Sequence, residues 1–234
     1  EGALTVHLGD GIDPAINRRV TALQGAIDSA GLRGITDLIP AYADLTVCYD
    51  CTVISAKALQ RQLRRLLDSL SVAGQDRRRV FRLPVCYGGD YGPDLDFVCH
   101  HSGLSTQEVI ALHSAPDYLI YMLGFLPGFA YLGGLDPRLH TPRLDSPRTC
   151  IPAGSVGIGG AQTGVYPLAS PGGWQLLGRT PVSVFDRQRQ EPILYRAGDL
   201  VHFVPISPAE YEEIARAVAA GTYTVQVEEV PVCD

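Results

Sequence analysis

The feature that most constrains this chain is the stretch from residue 124 to residue 181, which holds twelve glycines, eight prolines, four arginines and two aspartates, with no lysine or glutamate. A flexible linker of that Gly and Pro content would also carry Ser, Gln and charge. Here the breakers alternate instead with Phe125, Phe129, Tyr131, Leu135, Ile151, Val156, Ile158, Val165, Tyr166 and Trp174. Such loops are expected to be ordered and partly buried, and ordered loops of this length usually carry function.

The rest of the chain is punctuated differently. A short strand, residues 4–8, is followed by Asp13-Pro14, an N-cap and a first-turn proline. Ile16, Val20, Leu23, Ile27 and Ala30 then recur at helical spacing and Gly31 closes the run. Residues 35–39 and 45–53 read as strands. A second helix begins near Ser55 with Leu59, Leu63, Leu66, Leu67 and Leu70 on one face, and residues 79–86 read as a strand. The order βαββαβ predicts an N-terminal ferredoxin-like domain over residues 1–88, with a turn-rich joint at residues 86–93. Past it, Ser105-Thr-Gln-Glu108 is a capping box that opens a helix carrying Val109, Ile110 and Leu112. Short apolar runs at 118–123, 182–185, 193–195 and 200–204, separated by Gly, Pro and Asp, predict a β-barrel or sandwich over residues 89–234. A helix over 208–220 and a strand over 223–227 end the pattern. The fold class is therefore α+β.

Composition narrows the function. A net charge of −6 argues against a nucleic-acid binder, and the basic run Arg77-Arg78-Arg79 reads as a solvated turn. No window is apolar enough to span a membrane and no signal peptide is visible, so the expected location is the cytoplasm. Six cysteines fall at irregular spacing; Cys48 and Cys51 form a CxxC, but the pair is expected on a strand, where residues three apart face opposite sides. No HxH or HExxH spacing marks a metal site.

Within residues 124–181 three pieces stand out. Residues 124–134 alternate aromatics with turn residues, a pattern that can place rings such as Phe129 around a pocket. Residues 152–164, with Gly154, Ser155, Val156 and Gly157, offer backbone N–H groups able to hold an anion, although no Gly-Lys-Ser/Thr follows as in a P-loop. Residues 170–181 bring Trp174 and Arg179 into one loop pair. Arg143, Arg148 and Arg179 are candidate carboxylate or phosphate clamps, since guanidinium is a planar bidentate donor. His113 reads either as a general base or as a helix-end cation. Asp136 and Asp145 are the carboxylates of the segment, either a base or turn residues.

Several of these runs together resemble one family. They are residues 121–136 (Tyr-Met-Leu-Gly-Phe-Leu-Pro-Gly-Phe-Ala-Tyr-Leu-Gly-Gly-Leu-Asp), Pro142-Arg143, Pro147-Arg148, residues 152–158, Gln162-Thr-Gly-Val-Tyr-Pro167, Ser170-Pro-Gly-Gly-Trp174 and Gly178-Arg-Thr-Pro181. Upstream, Gly9-Asp10, Pro84-Val-Cys-Tyr87, Gly92-Pro-Asp-Leu95 and residues 108–113 fit as well. The chain is similar to the B subunit of 5-oxoprolinase, also described as allophanate hydrolase subunit 1 or as the Kip inhibitor of a sporulation histidine kinase. Gly159-Gly160 departs from the pattern, where a single glycine beside Ala is expected.

The resemblance implies a cyclophilin-like barrel for the second domain and two partners, the 5-oxoprolinase C subunit, with a related barrel, and the A subunit. It implies ATP-coupled cleavage of 5-oxoproline to glutamate by the assembly, with this chain inactive alone. Under that reading Arg143, Arg148 and Arg179 hold phosphate or carboxylate, and the backbone around Gly154, Ser155, Val156 and Gly157 stabilises negative charge. His113 and Gln162 orient polar groups, while Phe129, Tyr166 and Trp174 wall the pocket. Two other readings come with the family: a non-catalytic inhibitor of a histidine kinase, and a carboxyltransferase half of a biotin-dependent urea carboxylase. An isolated chain is also expected to pair with itself through a partly apolar motif face.

Overall fold

The computed structural model describes residues 2–70 and 77–231, and the chain divides into two units between Asp76 and Arg77. Cys233 lies outside the described residues. In the first unit, β1 (Ala3–His7), β2 (Ile35–Pro40) and β3 (Asp44–Tyr49) form an antiparallel sheet in the order β1-β3-β2. Residues alternate across a strand, so Leu45, Val47 and Tyr49 of β3 all enter the core while Thr46 and Cys48 do not. Helices α1 (Pro14–Ala30) and α2 (Ala56–Asp68) supply Val20, Leu23, Ile27, Leu59 and Leu63 to that core. The expected boundaries hold: Asp13 caps the N–H groups of Ala15 and Ile16, Gly31 turns left-handed at φ 55°, and Ser55 caps α2. Strand β3 stops at Tyr49, earlier than expected, and Cys51 sits in the turn that follows.

The strand expected to complete a ferredoxin-like sheet is present but lies elsewhere. Strand β4 (Arg77–Tyr87) pairs in the second unit, so the described first unit is βαββα with three strands. The physical reason is legible in its burial. Val80 and Phe81 are adjacent and both buried, as are Val85 and Cys86, so both faces of β4 are covered. A half-covered three-stranded sheet has no place for such a strand. The run Arg77-Arg78-Arg79 is the start of this strand rather than a solvated turn. Arg79 grips Asp199 with two hydrogen bonds of 3.0 and 2.6 Å, and Asp199 is 4% exposed.

The second unit continues with α3 (Leu95–Ser102), α4 (Thr106–Ser114), β5 (Asp117–Leu123), β6 (Ala130–Gly133) and β7 (Arg148–Ile151). Strands β8 (Ser155–Gly159), β9 (Gln162–Val165), β10 (Ser170–Gly172), β11 (Gln175–Arg179) and β12 (Leu200–Ile206) follow, then α5 (Pro208–Ala219) and β13 (Gln226–Pro231). The sheet order β11-β8-β9-β6-β5-β12-β4 closes through a β11–β4 pairing, which makes a seven-stranded barrel. Strand β13 adds to the first half of β4, and β11 takes the end of the same edge at Cys86 and Tyr87. Phe81, Leu83, Tyr118, Ile120, Leu132, Val156, Ile158, Leu177 and Phe203 fill the barrel core. The capping box at Ser105 and Glu108 forms as expected. Residues 182–185 and 193–195 meet only at the bridge Phe185–Ile193, although Val182, Val184 and Tyr195 are buried, and the last strand begins three residues later than expected. No described helix is long and apolar enough to cross a membrane.

Candidate functional site

Outside the barrel core, Phe129, Ile151, Tyr166, Trp174 and Leu176 make a second buried cluster. Phe129 is its hub. Its ring stands edge-on to Trp174 at 5.5 Å, to Tyr166 at 5.5 Å, to Tyr131 at 5.2 Å and to Phe125 at 5.5 Å, the favoured geometry for aromatic pairs. These rings border a pocket of about 300 Å³ that Arg143, Pro147, Pro171, Gly172 and Gly173 complete. The glycines explain how the indole lies so close to the sheet. A Cβ on Gly159 would stand 2.3 Å from Trp174 Nε1, and one on Gly164 would stand 3.3 Å from its ring. The double glycine at 159–160 is thus partly a seat for Trp174. Gly159→Ala is expected to cost about 1–3 kcal/mol by overpacking. Near-UV circular dichroism of this chain's one tryptophan should change with it, and an unaltered spectrum and melting temperature would refute the seating.

Arg143 is exposed and makes no ion pair with the described residues; its guanidinium lies 5.9 Å from the Trp174 ring centroid. That leaves its planar fork of donors open to a ligand. Burial pushes the Tyr166 hydroxyl up, and the charges of Arg143 and Arg148 oppose that shift. The pocket therefore combines apolar walls with positive charge.

The other arginines are differently placed. Arg148 donates to Asp94 Oδ1 at 2.6 Å and to the Trp174 carbonyl at 3.3 Å, while Asp94 Oδ2 accepts from the Leu176 N–H at 2.7 Å. It braces the backbone behind the pocket. Arg138 is bound to Asp136, which also accepts from the Arg138 N–H and is held down to about 2, chiefly by the guanidinium hydrogen bond. Arg179, at the end of β11, pairs with Ser155 of β8 and lies beside Tyr211 of α5. Its Nε and the Ser155 hydroxyl are buried without a hydrogen-bond partner.

The glycine-rich run of residues 152–164 is the β8–β9 hairpin of the barrel. Strand β8 pairs with β9 on one side and β11 on the other, so its N–H groups face ladders rather than an open cradle. Val156 is a core residue. Gly157 and Gly154 pack against the backbone of Gln175 and Thr180, where a Cβ would come within 2.8 and 2.4 Å. Gln162 opens β9 opposite Gly159. His113 is fully buried inside the barrel. Its Nε2 is 2.8 Å from Thr163 Oγ1, its Nδ1 is 2.8 Å from the Tyr87 hydroxyl, and its ring stacks on Phe203. Burial drives its pKa down to about 3, so it is neutral and supports the hairpin from within.

Of the residues singled out in the sequence, the structure brings Phe129, Arg143, Tyr166 and Trp174 together. It does not bring His113, Arg148, Gln162, Arg179 or the 154–157 backbone into that pocket. Phe125 and Tyr131 are the wall residues that the sequence does not single out as site residues, although their alternation with Gly and Pro is the available signal. No group of three or more His, Cys, Asp or Glu among the described residues could hold a metal ion.

Residues 1–195 match the family described as carboxyltransferase domain, subdomain C and D. The chain is similar to the 5-oxoprolinase B subunit of Bacillus subtilis (strain 168), 42% identical over 221 residues that cover 90% of this chain and 92% of the relative. Among solved structures, it aligns to the crystal structure of TTHA0988 with TM-score 0.78 and 41% identity, covering 88% of this chain and 40% of that one. It therefore spans about two fifths of that protein. The Kluyveromyces lactis urea carboxylase shares the fold, with TM-score 0.82 at 23% identity over 98% of this chain and 23% of that chain.

Proposed function

The chain belongs to the 5-oxoprolinase B-subunit family and carries its carboxyltransferase domain, subdomain C and D, and on that footing we propose that it supplies one wall of a composite site that opens 5-oxo-L-proline to L-glutamate. The observation that carries this reading is the free Arg143 beside an aromatic pocket of about 300 Å³. 5-Oxoproline is a small carboxylate on a flat lactam ring. A guanidinium can bind the carboxylate through two N–H groups, and aromatic edges and faces can hold the ring. Binding of this kind positions the lactam carbonyl for attack by groups that another chain supplies.

The assembly's ATP is a different matter. The glycine-rich hairpin and Arg148 do not form a triphosphate cradle, because the hairpin N–H groups face ladder partners and Arg148 is committed to Asp94. We assign ATP cleavage to the partner A and C subunits of 5-oxoprolinase, and assign no step through ATP to this chain. Such an assembly would work in the cytoplasm and this chain would be inactive alone.

The test is 5-oxoproline turnover by the chain mixed with the A and C subunits. Arg143→Ala is expected to raise KM roughly 10–100-fold, the worth of a charge-assisted hydrogen bond. Arg143→Lys is expected to recover part of that, and the melting temperature should be unmoved. An unchanged KM in Arg143→Ala would remove the pocket from the reaction.

A further inference from the structure

Phe125 is the non-glycine residue with positive φ among the described residues, at 64°. The Leu126 N–H donates to the Gly124 carbonyl at 2.7 Å, so Phe125 is the centre of a three-residue turn. A left-handed turn centre carries strain in any residue with a Cβ and is the usual place for glycine. The chain does put glycine at its other described left-handed positions, yet here it holds a phenylalanine that is 63% exposed. The turn is fixed from both ends. Gly124 and Phe129 close it by a 3.1 Å hydrogen bond, and Gly128 at φ 83° packs where a Cβ would come 3.0 Å from Phe185. Backbone strain and an exposed large aromatic both oppose folding, offset in the fold by the edge contact with Phe129. What they achieve is position. The ring stands on the edge of Phe129 and borders the same pocket as Arg143.

We propose that Phe125 is the capping and specificity-determining residue of this pocket, closing over the flat apolar body of a small carboxylate whose charge Arg143 holds. This rests on the reading of the pocket as the 5-oxoproline site. Arg143 and the aromatic walls named here belong to this chain, so the binding they provide is read on the chain alone. Calorimetric titration with 5-oxoproline and with acetate, which lacks the flat body, reads the effect directly; Trp174 fluorescence follows it in parallel.

Phe125→Gly removes both the ring and the strain. It is expected to weaken 5-oxoproline binding by roughly tenfold or more, to leave acetate binding unchanged, and to keep or raise the melting temperature. Phe125→Tyr should bind as the wild type does. A wild-type chain that binds no 5-oxoproline would overturn both the pocket reading and the cap. A binding wild type matched by an equally tight Phe125→Gly would overturn the cap alone. The same holds if Phe125→Gly loses only its association with the partner proteins, which would make the ring a docking side chain.

Discussion

Replacing Arg148 with alanine is expected to lower the melting temperature of the chain by on the order of 10 °C, a loss of about 2–4 kcal/mol. The mutation removes two donors from a junction that ties three elements together. Asp94, just before α3, is 12% exposed at its side chain and would keep one partner, the Leu176 N–H. A mostly buried carboxylate left without its cation costs far more than an exposed pair is worth, and Arg148's own 30% exposure sets the figure below that of a fully buried pair. The Trp174 carbonyl also loses its donor. Arg148→Lys restores charge without the second arm of the fork and should recover less than half of the loss. A double-mutant cycle with Asp94→Asn should give a coupling energy of about 1–3 kcal/mol. If Arg148→Ala melts with the wild type yet abolishes turnover, Arg148 is a substrate clamp and the bracing role is wrong. Arg143 behaves in the opposite way. One arginine is read by KM at constant stability, the other by stability first.

That contrast is beyond the sequence. Arg143, Arg148 and Arg179 occupy equivalent-looking Gly/Pro-rich loops, and nothing in their spacing says that Asp94, 54 residues upstream of Arg148, takes one of them. Local chemistry is legible where local chemistry decides: the Asp13 and Ser105 caps and the Gly31 stop depend on residues within one helical turn. The aromatic pocket is half legible, because Phe129, Tyr166 and Trp174 alternate with Gly and Pro in a segment that reads as ordered, partly buried loops, whereas nothing local says that Leu132, Val156, Ile158 and Leu177 of the same segment fill the barrel core. Strand β4 is legible as a strand, but its sheet is not. Pairing is non-local, and β4 joins β12 some 120 residues further on, as shown by the Val80–Leu200 register. The glycine-rich hairpin resembles an anion cradle in sequence because bare N–H groups look alike whether they face a ligand or a neighbouring strand. His113 misleads for a related reason. A histidine at a helix end suggests a solvated cation, and only the tertiary fold reveals Phe203 and Tyr87 against the ring.

Buried, neutral His113 makes stability depend on pH in a direction that can be worked out in advance. Thr163 donates its hydroxyl proton to the Gly157 carbonyl at 3.0 Å, so toward His113 it must accept. The imidazole therefore carries its proton on Nε2, and Nδ1 accepts from the Tyr87 hydroxyl. A second proton would have to sit inside the barrel. With the folded pKa near 3, well below the 6.5 of a free histidine, the unfolded chain takes up a proton first as the solution is acidified. Stability from this group is thus complete above about pH 6.5 and falls as pH drops, by up to about 1.4 kcal/mol per unit, until the folded pKa is reached. Between pH 6.5 and pH 5 the expected loss is about 2 kcal/mol. The carboxylates held low by hydrogen bonds, Asp50, Asp136, Glu108, Glu210 and Glu228, add their own losses only at lower pH. His7, exposed and raised by Asp44, works in the opposite sense. Urea unfolding at pH 7, 6 and 5, followed through Trp174, measures the slope for the barrel unit. His113→Gln should be less stable at pH 7, because it leaves a cavity beside Phe203, and its stability should be nearly flat between pH 7 and 5. An equal slope in wild type and variant would mean that some other group carries the acid sensitivity. A flat variant would establish His113 as the inner support of the hairpin whose glycines seat Trp174, which makes acid a way of loosening the pocket without touching any residue that borders it.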